Sequence, residues 1–142
     1  MIIRNANPED LKELINVLHQ LSPSEETDLE KLKPILDKIT QDENHYLCVY
    51  EEDGKIIGSG LLLIQMNLSH SGQPYGHIEN IVVDINHRKK GIGKAIVTHL
   101  IEKAKEKHCY KVILDCKKEN IPFYEKCSMH DTGEIEMRID FN

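Results

Sequence analysis

The spacing of apolar and polar positions changes several times along this chain. Ile2 and Ile3 predict a short first strand. Asn7-Pro8-Glu9-Asp10 predicts a helix start, with an Asn cap, a proline in the first turn and acids behind it. Leu11, Leu14, Ile15, Leu18 and Leu21 follow at helical spacing. Ser22-Pro23-Ser24 breaks that helix. Acids and leucines over 25–39 predict a second helix, kinked or split at Pro34. Residues 45–50 read as a strand, Asp53-Gly54 as a hairpin turn and 55–65 as the partner strand. Gly58 and Gly60 mark a bulge or a close backbone approach there. After a polar loop over 67–76, the β-branched run Ile78, Ile81, Val82, Val83 and Ile85 predicts a strand over 77–85. A basic loop over 86–90 leads into the clearest helix, 91–107, with Ile92, Ile96, Leu100 and Ala104 on one face. A strand over 110–116 and a short helix over 120–126 come next. In 134–141, Ile135, Met137, Ile139 and Phe141 alternate with Glu136, Arg138 and Asp140, predicting a last strand with one wet face. The order is β-α-α-β-β-β-α-β-α-β, an α/β chain expected to form one domain over 1–142.

Composition narrows the function. Apolar residues make up 39% of the 142, charged residues 30%, and mean hydropathy is −0.45, a soluble globular balance. No apolar run approaches the roughly 20 residues that span a bilayer. Twenty-four acids against 18 bases leave a net charge of −6, which argues against general nucleic-acid or anionic-membrane binding. The first residues lack a basic segment followed by an apolar one, so no signal peptide is expected and the location is read as cytoplasmic. Cys48, Cys109, Cys116 and Cys127 form no C-x-x-C and are expected as reduced, buried thiols. The eight histidines form no close ligand pair, so no metal is expected.

One stretch departs from this acidic background. His87-Arg88-Lys89-Lys90-Gly91-Ile92-Gly93-Lys94 carries four Lys or Arg in eight residues and no acid. It falls at the start of a helix, where unpaired N–H groups and the macrodipole already make the surroundings positive. Stability alone does not favour cations there; a bound anion does, and two glycines let a phosphate approach the backbone. The pattern is not G-x-x-x-x-G-K-[ST], and a dinucleotide fingerprint needs a third glycine where Ile96 stands.

Arg-x-x-Gly-x-Gly between a β-branched strand and a long helix resembles the pyrophosphate loop of the GNAT superfamily of acyl-coenzyme A N-acyltransferases. The segments at 76–83 (Gly-His-Ile-Glu-Asn-Ile-Val-Val), 109–116 (Cys-Tyr-Lys-Val-Ile-Leu-Asp-Cys) and 120–127 (Asn-Ile-Pro-Phe-Tyr-Glu-Lys-Cys) narrow this. They are similar to the glucosamine-6-phosphate N-acetyltransferase family. The similarity runs almost unbroken over 76–126; before it only the order of elements matches. The resemblance implies a GNAT fold, a mixed, mostly antiparallel twisted sheet flanked by helices. It implies acetyl-CoA as cosubstrate, no metal, and direct transfer of acetyl to the amine of glucosamine 6-phosphate in a ternary complex.

Residue roles follow from the same resemblance. Tyr124 matches the Tyr that hydrogen-bonds or protonates the departing coenzyme A sulfur. Glu79 matches the Glu facing the amino sugar, a general base acting directly or through water. Asp115 matches the Asp that contacts the amine. Within an apolar strand, its carboxylate also needs a partner or a raised pKa. The backbone of Ile81, Val82 and Val83 would pair with the pantetheine arm and polarise the thioester carbonyl. Arg88, Lys89, Lys90, Gly91, Ile92, Gly93 and Lys94 would hold the pyrophosphate, and Asn120 would contact coenzyme A or cap its helix. Tyr110 and Lys111 match positions near the sugar phosphate; His70 and Ser22 match loosely. Asn80 stands where the family has Asp, removing a negative charge near the amine. The resemblance implies a homodimer in which an Arg of the final strand reaches the partner's phosphate site. Asp140 occupies that place here, and Arg138 lies two residues earlier on the same face. Arg138 is therefore either the substitute or a sign of another amine: glucosamine, a polyamine, a protein N-terminus or an antibiotic. A non-catalytic acyl-coenzyme A sensor would need no Tyr124, Glu79 or Asp115. A nucleic-acid module would want aromatic stacking residues in the basic loop.

Overall fold

The computed structural model describes residues 2–23 and 27–142. Expectations for Ser24 and Glu25 therefore lie outside the described residues. Five strands form one sheet in the order β1-β2-β3-β4-β5: β1 Ile2–Asn5, β2 His45–Glu52, β3 Lys55–Gln65, β4 Tyr75–Val83 and β5 Val112–Ile113. The first four pair antiparallel, while β4 and β5 run parallel. That last pairing needs a crossover, supplied by α3 (Ile92–Glu106).

Helix α1 (Leu11–Leu18) is entered through a 3-10 turn over Pro8–Asp10. Asn7 caps that turn, and its own N–H donates to Asp10 Oδ2 at 2.8 Å. Arg4 on β1 adds a bidentate pair to Asp10 at 2.8 and 3.0 Å. Asp10 is only 6% exposed. Burial pushes its pKa up, but Arg4 and the Asn7 N–H outweigh burial and hold it below the ordinary 3.8. Helix α2 spans Leu29–Gln41 behind an Asp28 cap, and Pro34 sits inside it without splitting it. Pro34 is exposed, so the carbonyl its missing N–H leaves free is on the wet side of the helix.

Side-chain alternation gives the sheet two cores. Cys48, Tyr50, Leu62 and Ile78 meet Ile96, Val97 and Leu100 of α3. Val49, Ile56 and Val82 meet Leu11, Leu14, Val17 and Leu36 of α1 and α2 on the other face. Close approach of α3 explains Gly60. A Cβ there would lie 2.7 Å from Ile81 Cδ1 and 2.8 Å from Ile96 Cγ2. The expected bulge is also present, between Ser59 and Leu61 against β4.

Several expectations are corrected. Strand β4 ends at Val83, and Ile85 belongs to a 3-10 turn over Ile85–His87. Strand β5 is two residues long rather than seven, so Asp115 lies beyond its end and is exposed. It needs no buried partner. Cys116 is exposed and Cys109 half-buried, while Cys48 and Cys127 are buried; all four are free thiols. Among the described residues, the expected strand over 134–141 pairs with no strand. Past Gly133 (φ 81) the backbone stays outside the sheet. Ile135, Met137, Ile139 and Phe141 are 83, 91, 75 and 89% exposed. Alternation specifies a strand only where a partner strand and a core face meet it. A short α4 (Ile121–Glu125) follows a 3-10 turn, close to its expected place. Among the described residues no helix is long and apolar enough to cross a membrane.

Candidate active site

The bulge between β3 and β4 lies just past the point where β4 and β5 part. Asn80 takes the left-handed conformation (φ 54), which Asn tolerates better than most residues. A short polar side chain therefore has a backbone reason to stand there. Strands β4 and β5 pair only at Gly76–Val112 and His77–Ile113. Beyond His77, the rest of β4 has no β5 partner. Ile81, Val82 and Val83 line a cavity of about 390 Å³ on this stretch, closed on the far side by α4.

The floor of the cavity is the N-terminus of α3. Gly91 is its cap residue with φ 78, a conformation that suits glycine, and no side chain caps the helix. The first N–H groups of a 15-residue helix thus face the cavity lined by Gly91, Ile92, Gly93 and Lys94. A Cβ on Gly93 would stand 3.2 Å from the Phe123 ring, so glycine also lets α4 close over the helix start. Arg88 donates through Nε to Val83 O at 3.1 Å, which leaves its terminal nitrogens for another acceptor. Arg88 and Lys89 line the cavity, whereas Lys90 does not.

Tyr124 reaches the same space from α4. Its ring meets Phe123 edge-to-face, with centroids 4.9 Å apart at 87°. Burial, then the neighbouring Cys116 and Cys127, raise its phenol above the ordinary 10. At neutral pH the group is a proton donor, the form needed to meet a departing thiolate. Asn120 also lines the cavity and makes no side-chain cap to α4. Among the described residues, no three His, Cys, Asp or Glu side chains are grouped to hold a metal ion.

This geometry, with an uncapped helix start, flanking cations and a phenol on one cavity, accords with the comparison to known proteins. The Acetyltransferase (GNAT) family matches residues 10–129. The chain belongs to this family. A glucosamine 6-phosphate N-acetyltransferase of Trypanosoma brucei brucei is 43% identical over 91 residues, 64% of this chain and 61% of that protein. One from Arabidopsis thaliana is 42% identical over 102 residues, 70% of this chain and 68% of that one. The crystal structure of an Arabidopsis thaliana glucosamine-6-phosphate N-acetyltransferase superposes with a TM-score of 0.93 at 36% identity, covering 99% of this chain and 98% of that one. The matched stretch spans about three fifths of the trypanosome protein's length.

Within this GNAT chain, the acceptor-side residues do not converge as the cavity residues do. Glu79 is exposed on β4, on the face opposite buried Ile78. Tyr110 and Lys111 lie just before β5 in an aromatic cluster. His70 stacks on Tyr110 at 3.9 Å and 15°, and Tyr75 tilts against it at 5.8 Å. The Lys111 ammonium rests 4.9 and 5.4 Å from the Tyr75 and Tyr110 ring centroids. Arg138 is exposed in the C-terminal segment, 3.3 Å from Glu136 and 3.9 Å from Asp140. Phe123, Gln20 and Leu21 also line the cavity, and sequence reasoning gave none of them a role in the site. Phe123 was adjacent to the motif that placed Tyr124. Gln20 and Leu21 follow the end of α1, over sixty positions before the basic loop, and carry no local signal of a site.

Proposed function

We propose that this chain transfers the acetyl group of acetyl-CoA to the amine of glucosamine 6-phosphate directly in a ternary complex, releasing coenzyme A and N-acetylglucosamine 6-phosphate. The observation that carries the reading is the single cavity shared by the uncapped start of α3, the cations at 88, 89 and 94 and the phenol of Tyr124. These residues fit acetyl-CoA: cations and free N–H groups suit a pyrophosphate, and an unpaired strand edge suits an amide-bearing arm. The names of the relatives support the acceptor.

The bound thioester supplies the acetyl group. Backbone groups of 81–83 hold the pantetheine arm and polarise its carbonyl. Tyr124 donates its proton to the sulfur as it leaves. Glu79 takes the proton of the amine, directly or through water, and Asp115 with Asn80 orients that amine. Lys111, steadied on two ring faces, meets the sugar phosphate beside Tyr110. No metal is needed for any of these steps.

A second copy of the chain completes the site in this reading. The segment over 134–141 carries a strand's alternation with four exposed apolar side chains, and such an unpaired strand is a template for pairing. In a homodimer it would bring Arg138 to the partner's phosphate site. One observation favours a second reading: Arg138 already lies against Glu136, which suits an unphosphorylated amine as acceptor. We take the chain as a single cytoplasmic domain, since four free thiols suit reducing conditions.

The test is thiol release from acetyl-CoA with glucosamine 6-phosphate or glucosamine at equal concentration. The account expects at least about a tenfold preference in kcat/KM for the phosphorylated sugar, about 1.4 kcal/mol in the transition state. Equal or reversed rates would favour the second reading.

A further inference from the structure

The connection from β4 to α3 carries the cations toward the cavity, and its backbone is held at every residue from 84 to 87. Asp84 N donates to Ile57 O at 2.8 Å, and His87 N to Asp84 O at 2.8 Å. Asn86 N donates to Asp84 Oδ1 at 3.0 Å. Three of the four bonds are thus made within the connection or to its own sheet. The fourth is different. Ile85 N donates to Gln20 Oε1 at 2.8 Å, across 65 positions of sequence. Gln20 follows the end of α1, and it and Leu21 line the cavity beside Arg88 and Lys89.

Apolar burial does not hold this turn at Ile85, whose side chain is 64% exposed. Arg88 in turn hangs from the same connection, its Nε tied to Val83 O. Among the described residues, the Gln20 amide oxygen ties the end of α1 to the turn that carries Arg88. We propose that Gln20 is a positioning residue for acyl-coenzyme A: it fixes the 85–88 turn and through it the Arg88 guanidinium, without acting on the reacting atoms. The inference rests on the cofactor side of the proposed function and not on the identity of the acceptor.

The test is Gln20→Met, which keeps length and removes the acceptor oxygen, read by acetyl-CoA KM, by kcat and by calorimetric coenzyme A affinity. The expected result is a KM and Kd for the coenzyme raised about three- to tenfold, with kcat within about twofold and thermal stability nearly unchanged. The exposed Ile85 N–H can turn to water, so the variant keeps its fold. A double-variant cycle identifies the route. In an Arg88→Ala background, Gln20→Met should change KM by less than about twofold, because the group it positions is gone. Full additivity of the two substitutions would overturn the proposal, as would an unchanged KM in the single variant. Calorimetry needs no acceptor, so a failure of the acceptor assignment would leave this result readable.

Discussion

The proposed cofactor side and the proposed acceptor side of this molecule are built on different principles. On the cofactor side, the end of β4, the basic loop, the start of α3 and α4 share one cavity, and in the proposed reading backbone groups carry much of the recognition. Backbone groups are fixed by the fold itself, so one chain presents them ready-made. On the acceptor side, Glu79, Lys111, Asp115 and Arg138 are side chains on a strand, beyond a strand end and in an unpaired segment, and all four are exposed. They need something further to gather them, which the proposed second copy supplies. A dense local motif can encode the first kind of site. The second kind depends on contacts that no local spacing records.

The largest expected effect lies on the cofactor side. Tyr124→Phe removes the proton donor and should lower kcat by about 10²-fold or more, with coenzyme A affinity within about twofold. Steady-state kinetics with calorimetry separates the two. An unchanged kcat would remove the phenol from the chemistry. Because burial raises this phenol above its ordinary 10, its protonated form persists through neutral pH. The pH–rate profile should carry no alkaline limb from Tyr124 below about pH 10.

Next comes the scaffold on which both sides stand. Asp10→Asn removes the bidentate partner of Arg4, which keeps Glu51, and weakens the cap at Asn7; it should destabilise the fold by about 2 kcal/mol in denaturant titration. The sign with pH follows from the lowered pKa. The contribution of Asp10 is fully present above 3.8 and is lost as pH falls through its lower folded value. The wild-type and Asp10→Asn stabilities should therefore converge below about pH 3.8. A gap that persists or widens in acid would refute the ion-pair account.

The smallest effect sharpens the acceptor side. Lys111→Ala should raise KM for glucosamine 6-phosphate by about three- to tenfold and leave KM for glucosamine within about twofold, as expected for one exposed cation on a phosphate. Equal effects on both sugars would move the phosphate site elsewhere.

The same division governs how much was legible in the sequence. The Asn7 cap, the Asp53-Gly54 turn and the stripe of α3 follow from local chemistry and stand near their expected places. Arg88 and Gly91 lie three positions apart in one loop, and Tyr124 shares their cavity because α3 and β5 bring α4 back over the helix start. Gln20 escaped notice because its partner, Ile85 N, lies on a turn that only the folded sheet brings near it. Asp115 seemed buried because apolar neighbours suggested a long strand, whereas β4 and β5 part after two residues. Alternation over 134–141 is genuine, but a strand forms only against a partner, and the described residues of this chain offer none to it.

Ending the chain after Gly133 tests the contrast most directly. Residues 134–142 are all exposed, so their removal uncovers no core of this chain. The account predicts a folded monomer that binds acetyl-CoA within about threefold of the full chain but transfers acetyl to glucosamine 6-phosphate at least about a hundredfold more slowly. A shortened chain that stays monomeric and transfers acetyl at the full rate would contradict it, because the acceptor side would then be complete within one copy.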